Sequence, residues 1–169
     1  MIVLHKPYSP AKEENLVEMP QGLTRNSEKK YLALPEAAEA LERMCSEAAK
    51  DGIQIVVISS YRTLEFQKAY FEDAEKRHGK GKGAKWVAPS GYSEHHTGYV
   101  FDLADLGRPE TDDEPSFEST PASDWLKGNA GRFGFELSFS KGNGQGVGFE
   151  PWHWRFIGSP KAKAVFYKK

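Results

Sequence analysis

The chain has 169 residues, 38% hydrophobic and 28% charged, with 23 basic and 24 acidic side chains and a formal net charge of -1. That length fits one compact domain over residues 1–169, able to bury a core without covalent staples, and the even charge balance gives no basic surplus for nucleic acid. A lone cysteine, Cys45, excludes an internal disulfide, and no apolar run of about 18 residues is present to cross a membrane.

Residues 1–34 carry Pro7, Pro10, Pro20 and Gly22 among scattered apolar positions and read as extended chain packed over the core. From Pro35 onward, Ala37, Ala38, Leu41, Met44, Cys45 and Ala48 recur at three- and four-residue spacing. That pattern predicts an amphipathic helix with proline in its first turn and Gly52 as its stop. The β-branched run 53–58 predicts a short buried strand. Residues 59–62 leave it as a loop, and Thr63 is placed to cap a second helix with Leu64, Phe66, Ala69, Tyr70, Phe71 and Ala74 as its apolar side. Residues 79–85 read as a basic, solvated surface loop, and 86–88 as a short strand closed by Pro89. Residues 98–104 predict a further strand with Val100, Asp102 and Ala104 on one face. The acidic segment 107–120, with two prolines, reads as an irregular surface excursion. Thr120 and Pro121 open a third helix that buries Trp125, Leu126, Ala130 and Phe133. Residues 135–139 and 149–157 predict two strands joined by the glycine-rich stretch 141–148, a hairpin by its spacing. The sum is an α+β domain with helices packed on a mainly antiparallel central sheet.

Three islands of polar residues stand apart from this core pattern. The first runs Ser93-Glu94-His95-His96-Thr97-Gly98-Tyr99-Val100-Phe101-Asp102, and the second runs Glu150-Pro151-Trp152-His153-Trp154-Arg155. The third is Ser60-Tyr61-Arg62, with Gln67 shortly after it. Catalytic zinc takes three nitrogen or carboxylate ligands and keeps a fourth position open for water. His95 on a loop, Asp102 on the following strand and His153 on a late antiparallel neighbour could meet at one point. Glu150, three residues before His153, would then stand close enough to act as a general base on water whose pKa zinc lowers to about 7. His5, His78 and His96 read as surface or internally satisfied histidines. Trp152, Trp154, Phe156 and Phe149 read as core on one face and cleft wall on the other.

The run Ser93-x-His95-x-x-Gly98-x-Val100-x-Asp102 resembles the Ser-x-His-x-x-Gly-x-Ala-x-Asp element of the LAS-type zinc peptidases, the group of lysostaphin, D-alanyl-D-alanine carboxypeptidases and the hedgehog signalling domain. Glu150-Pro151-Trp152-His153 is similar to the Glu-x-x-His element of the VanY-type carboxypeptidases, and Ser60-Tyr61-Arg62-Thr63 to their Ser-Gly-Tyr-Arg-Ser loop. Ser60 in place of glycine and Val100 in place of alanine are mild departures, and neither removes a catalytic group. The resemblance implies a hedgehog/D,D-peptidase-like fold in which His95, Asp102 and His153 bind Zn2+ and Glu150 is the general base. It also implies that Arg62 grips the substrate's terminal carboxylate or stabilises the oxyanion, with Gln67 and Ser93 bonding the same carboxylate.

The function implied is a zinc D,D-carboxypeptidase that removes the terminal D-alanine from peptidoglycan stem peptides or precursors, acting as a monomer with neither nucleic acid nor a membrane span. The same motifs would serve an L,D-carboxypeptidase acting on tetrapeptide stems. The hedgehog likeness allows a non-enzymatic, zinc-stabilised binding module. The opening residues 1–7 lack the basic and then apolar pattern of a signal peptide. The substrate class points to the bacterial envelope, or to the cytoplasm if wall precursors are the target.

Overall fold

A computed structural model describes residues 2–167. Two short strands, β1 (Val17–Glu18) and β2 (Leu32–Ala33), pair antiparallel in the N-terminal segment, which otherwise runs extended with two single 3-10 turns. Then follow α1 (Pro35–Lys50), β3 (Ile55–Ser59), α2 (Leu64–His78), β4 (Val100–Asp105), α3 (Pro121–Asn129), β5 (Phe135–Leu137), β6 (His153–Phe156) and α4 (Pro160–Phe166). The central sheet has the order β3-β4-β6-β5, antiparallel at every pairing. This is the α+β arrangement expected from the sequence.

α1 buries Ala37, Ala38, Ala40, Leu41, Met44, Cys45 and Ala48, so its inner face is the periodic stripe read from the sequence. Gly52 follows it with φ +76, the left-handed geometry that ends a helix at little cost only for glycine. α1 lies against β3 and against the turn Ala130–Phe133 that continues α3. Between them Leu41, Met44, Phe101, Leu103 and Leu126 are fully buried.

Four expectations change in detail. α2 spans the predicted range and is capped by the Thr63 hydroxyl, which accepts from Phe66 N–H. Yet its buried positions are Gln67 and Ala74, while Phe66 is 57% exposed. The helix therefore touches the body along a narrow line, and of its expected apolar side Ala74 alone is fully buried there. Residues 86–88 form no strand. Both carboxylate oxygens of Glu75 accept backbone N–H groups, from Gly81 and Gly83 at 2.5 and 2.6 Å. The loop is thereby curled back onto the end of α2 as a 3-10 turn over Gly83–Lys85.

The acidic excursion is not wholly solvated, because Phe117 within it is fully buried. Burial of a side chain that size contributes about 1.5–3 kcal/mol, enough to anchor a polar segment. Arg25 clamps the same segment, donating Nε and Nη2 to the Asp112 carboxylate at 2.8 Å each and reaching the carbonyls of Asp105 and Leu106. The last hairpin is present, but its strands are shorter than expected, since residues 149–152 turn before β6 begins. α4 lies beyond the elements read from the sequence. Ser159 caps it, and its Phe166 packs on Tyr8 and Tyr99.

Candidate active site

The pairing of β4 with β6 sets Asp102 directly opposite His153, so their side chains stand on the same face of the sheet. His95 reaches them from a 3-10 turn over Glu94–Thr97, at whose start the Ser93 hydroxyl accepts from the His95 N–H. Gly98 then turns the chain into β4 at φ +73, where a Cβ would press on Leu34 and Leu16 at 3.0 and 3.1 Å. Asp102 Oδ1 lies 3.1 Å from His95 Nε2 and 3.3 Å from His153 Nδ1. One donor atom from each of the three residues falls within 4.8 Å of the others, and all three side chains are buried.

Hydrogen bonds on the far sides of the rings determine which nitrogens face the centre. His95 Nδ1 sits 2.7 Å from the Ser60 carbonyl. A carbonyl only accepts, so Nδ1 carries the proton and Nε2 offers its lone pair. His153 Nε2 sits 2.9 Å from a carboxylate oxygen of Glu94, leaving Nδ1 toward the centre. Asp102 accepts from Arg62 Nη2 with its second oxygen at 2.7 Å, which leaves Oδ1 for the shared point. Two imidazole nitrogens and one carboxylate oxygen, with no thiolate, form a donor set for a catalytic zinc ion, and the residues fit that ion.

The groups at this point shift one another's protonation strongly. Burial holds the His95 imidazolium down, to about 4. For His153 burial opposes charge, yet hydrogen bonds to Asp102 and Glu94 raise it to about 10. Burial likewise opposes the Asp102 carboxylate, but His95, His153 and Arg62 hold it well below the usual range. Glu150, whose Oε2 is 3.4 Å from His153 Nδ1, is pushed by burial up to about 8. Four acid-base groups with shifted protonation crowd around one point, the pattern of a functional site.

A cavity of about 390 Å³ opens on this centre. Arg62, Gln67, Ser93 and Glu150 all line it, as do Trp152 and Asp113. Arg62 is held at Nε by the Ser59 hydroxyl at 3.0 Å and packs its guanidinium over Tyr70 at 5.2 Å. Its Nη1 makes only a long contact, 3.5 Å, to Gln67 Oε1. Gln67 in turn donates to the Ala88 carbonyl at 2.8 Å. Trp154 and Phe156 on β6 are core, whereas Trp152, in the turn before that strand, borders the cavity, so the aromatic run divides where the strand begins.

The three remaining histidines lie outside the ligand group. His96 is buried between the Arg62 carbonyl at 2.7 Å and the Gly91 N–H at 3.1 Å. His5 contacts the Ala84 carbonyl at 2.6 Å, and His78 stacks on Trp86. Two charged residues of the site were not singled out by spacing or composition. The buried Glu94 pairs with the part-buried Arg155 at 2.8 Å behind His153. The signal for Glu94 was its place inside a run that becomes a fully buried turn.

A buried triad of this kind, with a glutamate beside it and an arginine across an open cleft, places the molecule among metal-dependent peptidases. The family model for VanY, D-alanyl-D-alanine carboxypeptidase, matches residues 30–159, and the chain belongs to that family. It is 33% identical over 141 residues to the protein of Bacillus subtilis named "Putative carboxypeptidase YodJ", covering 82% of this chain and 50% of that protein. It is 30% identical over 128 residues to a D-alanyl-D-alanine carboxypeptidase of Enterococcus faecium, covering 74% of this chain and 37% of that one. The chain thus spans half or less of the length of these two curated relatives. Among solved structures it is similar to the LD-carboxypeptidase LdcB, with a TM-score of 0.82, 29% identity, and coverage of 97% of this chain and 78% of that one.

Proposed function

We propose that the protein is a zinc-dependent D,D-carboxypeptidase that releases the C-terminal D-alanine of peptidoglycan stem peptides or their precursors. The observation that carries this reading is the meeting of His95, Asp102 and His153 at one buried point, with Glu150 and Arg62 both in contact with that group. His95 Nε2, Asp102 Oδ1 and His153 Nδ1 would hold the ion. Zinc, when bound, supplies a Lewis acid that polarises the peptide carbonyl and brings a water pKa to about 7.

Glu150 takes the proton from the attacking water at its carboxylate and gives it to the nitrogen of the departing D-alanine. Its burial favours the protonated form, and an adjacent dication would favour the ionised one, so the group is suited to exchange a proton within a turnover. Arg62 keeps Nη2 on Asp102 and turns Nη1, its weakly bonded arm, to the substrate's terminal carboxylate. The Ser93 hydroxyl, which only accepts within the protein, has its own proton free for the same carboxylate. The second amide N–H of Gln67 completes the set. A carboxylate reader beside the reacting point is what makes a peptidase measure from a chain end. All of these groups come from one chain, so the site needs no second subunit to complete it.

The likeness to an LD-carboxypeptidase favours one second reading, release of the terminal residue from tetrapeptide stems. Glu150 argues against a binding module, since a structural zinc site needs no base. Incubating the zinc-loaded protein with defined pentapeptide and tetrapeptide stems and weighing the products separates these readings. Loss of one alanine from the pentapeptide alone supports the D,D reading, loss from the tetrapeptide alone supports the L,D reading, and loss from neither refutes both.

A further inference from the structure

We propose that Glu94 is a positioning residue for the metal centre, a buried carboxylate that fixes the ring of His153 with Nδ1 toward the ion. The inference rests on the metal reading above and concerns a residue outside the ligand set. Glu94 stands immediately before His95 in the chain, yet its side chain reaches the other histidine. One oxygen accepts from His153 Nε2 at 2.9 Å and from the Ser138 hydroxyl at 2.5 Å. The second accepts from Arg155 Nη1 at 2.8 Å and from the Tyr8 hydroxyl at 3.3 Å. The carboxylate is 1% exposed, and all four neighbours donate. Only a group that accepts at both ends satisfies such a site.

A buried ion pair is a weak source of net stability, so stability does not explain this one. Its distinct effect is on His153. With the proton held on Nε2 by Glu94, Nδ1 keeps a free lone pair on the cavity side once a cation displaces its proton. Arg155 supplies the balancing charge, and its Nε is itself held by Glu136 at 2.7 Å. Tyr8 and Ser138 bring the N-terminal segment and the end of β5 into the same anchor. The ring orientation is therefore fixed by three separate parts of the fold.

Glu94→Gln tests this at nearly constant shape. The amide must turn its NH2 group toward one pair of donors. Facing His153, it asks Nε2 to accept, which moves the proton to Nδ1 and blocks the ligand position. Facing Arg155, it leaves two donors against one another. We expect the zinc dissociation constant of the folded variant, read by competition with a chromophoric chelator, to rise about 10–100-fold. The visible absorption of its cobalt(II) derivative should shift as well. Glu136→Gln removes a charge from the other side of Arg155 without touching His153, and should bind zinc as the parent does. Equal zinc affinity in Glu94→Gln and the parent would overturn the proposal, as would an equal loss in Glu136→Gln. A parent that binds neither zinc nor cobalt(II) would instead overturn the metal reading itself. If Glu94→Gln does not fold, nitrogen NMR of histidine-labelled, zinc-loaded parent protein decides. A protonated, slowly exchanging Nε2 on His153 supports the role, and an unprotonated one refutes it.

Discussion

Replacing Arg62 with lysine separates recognition of a chain end from support of the metal centre. The guanidinium spends Nε on Ser59, Nη2 on Asp102 and its face on Tyr70, leaving Nη1 for the substrate. A lysine ammonium carries the charge but not the planar fork, so it can keep the Asp102 contact or meet the substrate, not both in the same geometry. One lost hydrogen bond between charged groups costs about 1.5–3 kcal/mol. At about 1.4 kcal/mol per decade, Arg62→Lys should lower kcat/KM for a pentapeptide with a free terminal carboxylate about 10- to 150-fold. The assay is D-alanine release, run beside release of D-alaninamide from the same peptide with its terminus amidated. The parent enzyme should lose activity sharply on the amide, whereas the variant should distinguish the two substrates weakly. If Arg62→Lys loses as much on the amide as on the acid, Arg62 acts only through Asp102 and the chain-end argument fails.

Glu150→Gln should lower kcat by about 10²–10⁴-fold while zinc content, measured by elemental analysis, stays at the parent's level; retained turnover would remove Glu150 from its role. The Cys45 thiol, raised by burial and by Glu42 to about 12, should resist iodoacetamide at pH 8 until the protein unfolds, and fast labelling of folded protein would contradict that. The same shift means that its contribution to stability is complete below pH 9.0, the unshifted value, and is lost as pH rises toward about 12; denaturant midpoints across that range would show it. Gly134→Ala places a Cβ 2.6 Å from the Gly158 Cα at φ +82, whereas Gly52→Ala at φ +76 meets nothing within 4 Å. The second variant should lose only the left-handed backbone term, about 1–2 kcal/mol, and the first clearly more, at about 2–4 °C of Tm per kcal/mol. Equal melting temperatures would contradict the packing argument.

Much of the fold was legible because it rests on local regularity. α1 carries its stripe of alanines, leucine and methionine at helical spacing, and residues 53–58 and 98–104 carry the apolar content of central strands. What was hidden depends on tertiary partners. No local pattern says that Glu75 will gather the N–H groups of Gly81 and Gly83 and so cancel a strand at 86–88. Nor does one say that Phe117, set among acidic residues, will be drawn into the core. α4 spans Pro160–Phe166, too short for periodicity, though Ser159 before Pro160 was a readable start. The proposed ligands were legible as chemistry, three islands with the right residue types. Glu94 was not, because its significance lies in four donors from distant parts of the chain.

The geometry of the metal centre follows from the packing of the core. A strand alternates faces with period two, so sliding β4 by one residue against β6 would put Phe101 or Leu103 where Asp102 now faces His153. Both residues are fully buried on the opposite face, and exposing either would cost about 1.5–3 kcal/mol. The apolar pattern of β4 therefore locks the register that aligns Asp102 with His153. The neighbouring strand adds the second element. Between Val57 and Ser59 the pairing of β3 with β4 shifts by one, and Ser59 comes to lie opposite Asp102. Such a bulge re-aims the chain as it leaves the sheet. Here it delivers the Ser59 hydroxyl to Arg62 Nε, the Ser60 carbonyl to His95 Nδ1 and the Arg62 carbonyl to His96 Nδ1. Two of the three islands are joined at that point by the backbone, and the third by strand register, so residues far apart in sequence meet without any loop having to be placed by the metal alone.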